Sequence, residues 1–192
     1  MELEHFTKFG PNTLAYLSQI EATLSVEGDV AECGVYRGEN TYHYANYLTS
    51  MNSNKRLFGL DSFEGLPRET IENADLTRFD DVELVNVKKT LSGFKNTTLV
   101  PGYFRDTLAG LCENLFSCVI IDCDIYESYK TCLNFFYPRL SRGSIIVFDE
   151  YYSKKYPLAK KAVDEFFIDK LEKPELFKRE QNLWERWRIV KQ

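Results

Sequence analysis

Two short apolar runs in this chain each end in a cluster of acids. Phe116–Ile121 leads into Asp122-Cys123-Asp124, and residues 144–148 lead into Asp149-Glu150. Residues 126–137, between them, have the length and polarity of a helix. Short apolar runs separated by a helix read as neighbouring parallel strands buried on both faces. In open α/β sheets, ligands gather outside the carboxyl ends of the strands. Four carboxylates delivered to one sheet edge repel one another, and a hard divalent cation is the commonest reason for such a cluster.

The rest of the chain repeats the alternation. Residues 1–27 read as one or two helices, with Pro11-Asn12-Thr13 as a start signal and Glu27-Gly28 as a stop. Strands are expected at 29–33, 55–60, 97–100, 116–121 and 144–148, and helices at 38–51, 79–94, 104–111, 126–137 and 157–171. Residues 62–78 read as a long loop. In the amphipathic 79–94 segment, Val82, Leu84, Val85 and Leu91 fall on one helical face. Segments 175–181 and 184–191 read as a closing antiparallel pair. The pattern predicts an α/β fold: a doubly wound, mostly parallel sheet with helices on both faces and one antiparallel strand. With 192 residues and no Pro/Gly/Ser-rich linker or repeat, 1–192 is expected to be a single domain.

Composition narrows the partners. A net charge of −5 argues against nucleic acid, whose phosphates call for a basic excess. No apolar run approaches the ~18 residues that span a membrane. Met1-Glu2-Leu3-Glu4-His5 lacks the basic and apolar regions of a signal peptide. Five cysteines with no CxxC pair read as free, mostly buried thiols, which with the missing leader makes a cytoplasmic location the expectation.

Glu32-Cys33-Gly34-Val35-Tyr36-Arg37-Gly38 follows the first strand and opens a helix, where glycines let the backbone turn tightly and approach a ligand. Asp61 ends the next strand, 29 residues after Glu32. An acid there can accept the ribose hydroxyls of an adenosine. The full Gly-x-Gly-x-x-Gly is absent, which favours an adenosine cofactor without phosphates over a dinucleotide. The same residues also fit a tight strand–helix turn with a capping acid, and Asp122 or Asp124 could instead cap the 126–137 helix.

In order along the chain stand the blocks 28–38, Leu60-Asp61-Ser62-Phe63-Glu64-Gly65-Leu66-Pro67, 100–108, Ile121-Asp122-Cys123-Asp124-Ile125-Tyr126-Glu127-Ser128, Leu140-Ser141-Arg142-Gly143 and Asp149-Glu150-Tyr151. Together they resemble the macrocin O-methyltransferase family over roughly residues 28–170. The resemblance implies a Rossmann-like seven-stranded sheet of order 3-2-1-4-5-7-6 with strand 7 antiparallel. It also implies an S-adenosylmethionine-dependent, Mg²⁺-dependent O-methyltransferase acting on a hydroxyl of a sugar, glycan or similar polyol. Glu32 and Gly34 would line the methionine end of the cofactor, Asp61 would hold the ribose, and Ser62 and Phe63 would border the adenine. Arg37, Gly102 and Asp122 complete the expected cofactor contacts. Asp122, Asp149 and Glu150 would bind Mg²⁺, and Asp124 would be the general base. Relatives often carry a second Gly where Glu39 stands, a second Asp in place of Glu150, and a His in the stretch here occupied by Tyr152-Ser153-Lys154-Lys155. Two other readings share these residues: a methyltransferase with a non-sugar acceptor, and a non-catalytic Rossmann-like nucleotide-binding module. A homodimer is a further expectation.

Overall fold

The computed structural model describes residues 11–67, 79–180 and 184–192. Its elements are α1 (Pro11–Ala22), β1 (Asp29–Cys33), α2 (Glu39–Ser50), β2 (Leu57–Asp61), α3 (Leu84–Leu91), β3 (Thr97–Pro101), α4 (Phe104–Thr107), β4 (Phe116–Ile121), α5 (Tyr126–Phe136), β5 (Leu140–Phe148), α6 (Pro157–Phe167), β6 (Glu175–Glu180) and β7 (Trp184–Val190). The strands form one sheet of order β3-β2-β1-β4-β5-β7-β6. β1 to β5 run parallel, and β7 lies antiparallel between β5 and β6. This is the doubly wound order expected from the sequence.

Alternation along the central strands divides the core into two layers. Val119 and Ile121 of β4 and Ile146 and Phe148 of β5 face α5 and α6, where they pack with Tyr129, Leu133, Phe136, Val163 and Phe167. Cys118 and Ile120 of β4 and Ile145 and Val147 of β5 face Tyr16 and Ile20 of α1 and Tyr44 and Leu48 of α2. Each fully buried side chain of this size contributes about 1.5–3 kcal/mol. On α6 the buried Ala159, Ala162, Val163 and Phe167 recur at helical spacing, and Pro157 at the start brings a φ suited to the first turn.

Several boundaries depart from the sequence reading. Phe116 belongs to the same layer as Val119, although alternation from Cys118 would place it opposite. A bulge at Ser117 reverses the facing: across it the β5 partner jumps from Leu140 to Ile145. β5 therefore begins at Leu140 rather than 144, with Gly143 at φ +86 inside the irregularity. β2 begins at Leu57 rather than 55, because Lys55 is drawn inward to the carbonyls of Val26 and Gly28 and the hydroxyl of Ser117. The expected 79–94 helix is confined to α3, with Val87 and Leu91 as its buried face and Val85 exposed. Phe79, at φ +56, cannot join it. Residues 1–10, most of the 62–78 loop and Gln181 lie outside the described residues. All five cysteines are free; Cys33, Cys118, Cys123 and Cys132 are buried, and Cys112 is exposed.

Candidate active site

At the carboxyl ends of β1, β2 and β4 lies a cavity of about 750 Å³, within the range of small-ligand sites. Gly34, Asp61, Ser62, Gly102, Asp122 and Asp124 contribute to its wall, as do Arg37 and Glu39. Its floor exists because three strand ends meet there. Gly34 N–H donates to Leu60 O and Asp122 N–H to Cys33 O, both at 2.9 Å. A Cβ on Gly34 would lie 1.7 Å from Asp122 O, and φ is +101. Only glycine permits that approach.

Asp61 organises the rim. Its Oδ2 accepts the N–H groups of Val35 and Tyr36, and its Oδ1 that of Phe63, all at 2.8 Å. Asp61 thus ties down the turns after β1 and β2 but does not cap α2, whose N-cap is Gly38 without a side-chain cap bond. A carboxylate offers about four acceptor sites, so three backbone donors leave it capacity for a ligand. The Ser62 hydroxyl donates to Gly65 O at 2.8 Å and closes the turn after β2. Phe63 has its ring buried with Val35, Val87 and Leu91, outside the cavity wall. Glu32 is also not in the wall. It is buried beneath it, accepts a hydrogen bond from the Thr41 hydroxyl, and has its carboxyl pushed well up by burial, with Asp122 and Asp61 adding to the rise. The Gly102 N–H donates to Asp61 O at 2.9 Å. On the outer side, Asp81 accepts from the Tyr36 hydroxyl at 2.8 Å and pairs with Arg37 at 2.6 Å, while Phe79 meets the Tyr36 ring edge-on.

The acids of the β4 end share this cavity by a route the sequence did not suggest. β4 stops at Ile121, and Asp124 sits at φ +64, so Asp122 and Asp124 do not lie on one face of an extended strand. The left-handed turn, tolerated by Asp, still brings both into the wall. Neither caps α5, whose N-cap is Ile125 without a side-chain cap bond. Burial, and then the charge of Asp122, raise the Asp124 carboxyl to about 7, against the pull of Lys155 and Tyr156. Three of the five described non-glycine residues with positive φ line this cavity: Tyr36, Phe79 and Asp124. Such conformations cost about 1–3 kcal/mol each and gather at functional sites.

Asp149 and Glu150 stand outside the wall, against Asp122. The parallel register Ile121↔Phe148 and the Asp149 N–H to Ile121 O bond set Asp149 beside Asp122. One carboxylate oxygen from each of Asp122, Asp149 and Glu150 lies within 4.8 Å of the others. An all-oxygen anionic set of this size fits a hard divalent cation. Glu150 is buried and turned inward, its Oε2 accepting from the Tyr129 hydroxyl at 2.6 Å. Burial and the neighbouring acids Asp149, Asp122 and Asp124 push its carboxyl well up. The Asp149 Oδ1 accepts from the Tyr16 hydroxyl and lies 3.1 Å from Arg186 Nε. Tyr16, Tyr129, Asp81 and Arg186 were not legible as site residues, because each reaches the site through tertiary packing alone.

A model of the family described as macrocin-O-methyltransferase (TylF) matches residues 6–177. The chain is 28% identical over 154 residues to a Streptomyces olivaceus protein named 8-demethyl-8-(2,3-dimethoxy-alpha-L-rhamnosyl)-tetracenomycin-C 4'-O-methyltransferase, covering 73% of this chain and 59% of the relative. It is 30% identical over 156 residues to demethyldecarbamoylnovobiocin O-methyltransferase of Streptomyces niveus, covering 74% and 59%. The chain thus spans about three fifths of the length of these two relatives. Among solved structures, the calicheamicin methyltransferase CalS11 superposes with a TM-score of 0.80 at 21% identity, over 93% of this chain and 78% of that one, a likeness of fold.

Proposed function

This chain belongs to the macrocin O-methyltransferase family, and from that membership we propose that it transfers the methyl group of S-adenosylmethionine to a hydroxyl of a sugar, glycan or similar polyol. One observation carries the reading. Gly34 and Asp61, at the ends of β1 and β2, line the same cavity as the acids Asp122 and Asp124. S-adenosylmethionine supplies, when bound, an electrophilic methyl on a sulfonium that leaves without acid assistance. In this reading Asp61 accepts the ribose hydroxyls with its remaining capacity, and Gly34 admits the cofactor to the strand ends. Arg37, Ser62, Gly102 and Asp122 form the surrounding wall. Phe63 acts from below by anchoring the turn that carries Ser62, and Glu32 by supporting the floor.

The chain's remaining task is to orient the acceptor and take its proton. Asp124 is the group for this: it faces the cavity, and a carboxyl raised to about 7 is a better proton acceptor than an ordinary aspartate. A hydroxyl is still far less acidic than Asp124. A divalent cation such as Mg²⁺, held by Asp122, Asp149 and Glu150, would lower the effective pKa of that hydroxyl. The name of the Streptomyces olivaceus relative specifies a methylated rhamnosyl group, which supports a sugar hydroxyl as acceptor.

The test is methyl transfer from labelled S-adenosylmethionine to a panel of glycosides and polyols, followed as S-adenosylhomocysteine release. Turnover on at least one member, lowered by about 10²–10⁴-fold in Asp124→Asn, is the expected result. Cofactor binding without transfer to any hydroxyl acceptor would leave a binding module instead.

A further inference from the structure

The carboxylate cluster carries its own cation. Arg186 sits on β7, whose antiparallel register with β5 (Phe148↔Trp187) lays it alongside Asp149. The arginine is buried. Its Nε lies 3.1 Å from Asp149 Oδ1, and its Nη1 donates to the Asp149 carbonyl at 3.4 Å. The Tyr16 hydroxyl meets the same carboxylate oxygen, and the guanidinium lies 5.9 Å from the centroid of the Tyr16 ring. A buried guanidinium is tolerated only where an anion repays its desolvation; Asp149 does so here, and its carboxylate lies within 4.8 Å of those of Asp122 and Glu150.

We propose that Arg186 is the built-in counter-cation of the Asp122, Asp149 and Glu150 cluster, holding it together without a divalent ion and limiting how tightly such an ion binds. The proposal rests on the metal reading given above. Arg186 is a positioning residue that acts through Asp149. The same unit charge that steadies the bare cluster repels a divalent cation placed among these carboxylates. At an effective dielectric of about 20, a like charge within roughly 5–6 Å weakens binding by more than tenfold.

The experiment uses the full chain freed of metal, with neither cofactor nor acceptor. Mn²⁺ binding is followed by calorimetry and by the signal of the free ion, and Tm is recorded with and without Mg²⁺. Arg186→Gln should bind Mn²⁺ at least about tenfold more tightly than the parent. It should also melt lower when metal-free, and gain more Tm from Mg²⁺. Arg186→Lys, which keeps the charge, should stay within about threefold of the parent affinity. If Arg186→Gln does not fold without metal, a divalent ion during refolding should restore it. Equal or weaker Mn²⁺ binding in a folded Arg186→Gln, or misfolding that metal does not correct, would overturn the proposal and make the arginine a scaffold bond only. If neither parent nor variants bind Mn²⁺ saturably, or if Asp122→Asn binds as the parent does, the metal reading itself fails and this inference falls with it.

Discussion

Replacing Asp61 with Ala removes one carboxylate that holds three backbone N–H groups, those of Val35, Tyr36 and Phe63, each at 2.8 Å. A hydrogen bond to a charged group contributes about 1.5–3 kcal/mol. Asp61 lines the cavity, so water can reach some of the released amides and the full threefold sum is not expected. A loss of about 2–4 kcal/mol follows. For a domain of this size each kcal/mol lowers Tm by about 2–4 °C, which gives a drop of about 4–16 °C. Asp61→Asn retains one carbonyl acceptor and should lose about half as much. The same carboxylate is the one we propose for the ribose. Asp61→Asn, assayed well below its Tm, should therefore bind S-adenosylhomocysteine more weakly by roughly 10- to 150-fold, the equivalent of about 1.5–3 kcal/mol. Scanning calorimetry reads the first effect and titration calorimetry the second. An unchanged Tm in Asp61→Ala would show that these three bonds do not stabilise the turns. Full affinity in folded Asp61→Asn would move the ribose acceptor elsewhere.

Gly34→Ala should fail to give stable protein, because its Cβ would lie 1.7 Å from Asp122 O, whereas Gly93→Ala, with nothing within 4 Å, should melt within about 2 °C of the parent. Asp124→Asn should lower turnover by about 10²–10⁴-fold, the span of a general base, while cofactor binding by calorimetry stays near normal. A chelator should abolish transfer and Mg²⁺ restore it, and Asp122→Asn should raise the Mg²⁺ concentration needed; transfer that survives the chelator would remove the metal from the reaction. Asp124 also fixes a pH dependence. Its folded-state value of about 7 lies above the ordinary range near 3.9, so its contribution to stability is complete below about pH 4 and is lost as pH rises through 7. Urea unfolding of the metal-free protein should show Asp124→Asn gaining on the parent between about pH 4 and 7, and turnover of the parent should rise with a midpoint near pH 7.

Much of this protein was written in local pattern. Apolar runs of strand length, each followed by a helix, required a parallel sheet, and acids at the ends of Phe116–Ile121 and of the 144–148 run required that its carboxylates gather at one edge. The sheet order and the antiparallel β7 followed from that alternation together with the family blocks. Both signals survive in one dimension because side-chain period and strand-end chemistry depend only on near neighbours. What tertiary structure decided depends on distant segments meeting. Tyr16 reaches Asp149 across 133 positions of sequence, and Arg186 reaches the same oxygen from the far side, on an antiparallel strand whose register no local pattern encodes. The bulge at Ser117, the burial of Phe63 and the left-handed turn at Asp124 likewise answer to close packing rather than to propensity. Whether an acid at a strand end becomes a cap, a ligand or a base is set by its burial and its donors. For Asp61, Asp122, Asp124 and Glu150 those are properties of the assembled sheet edge, not of the residues that precede and follow them in the chain.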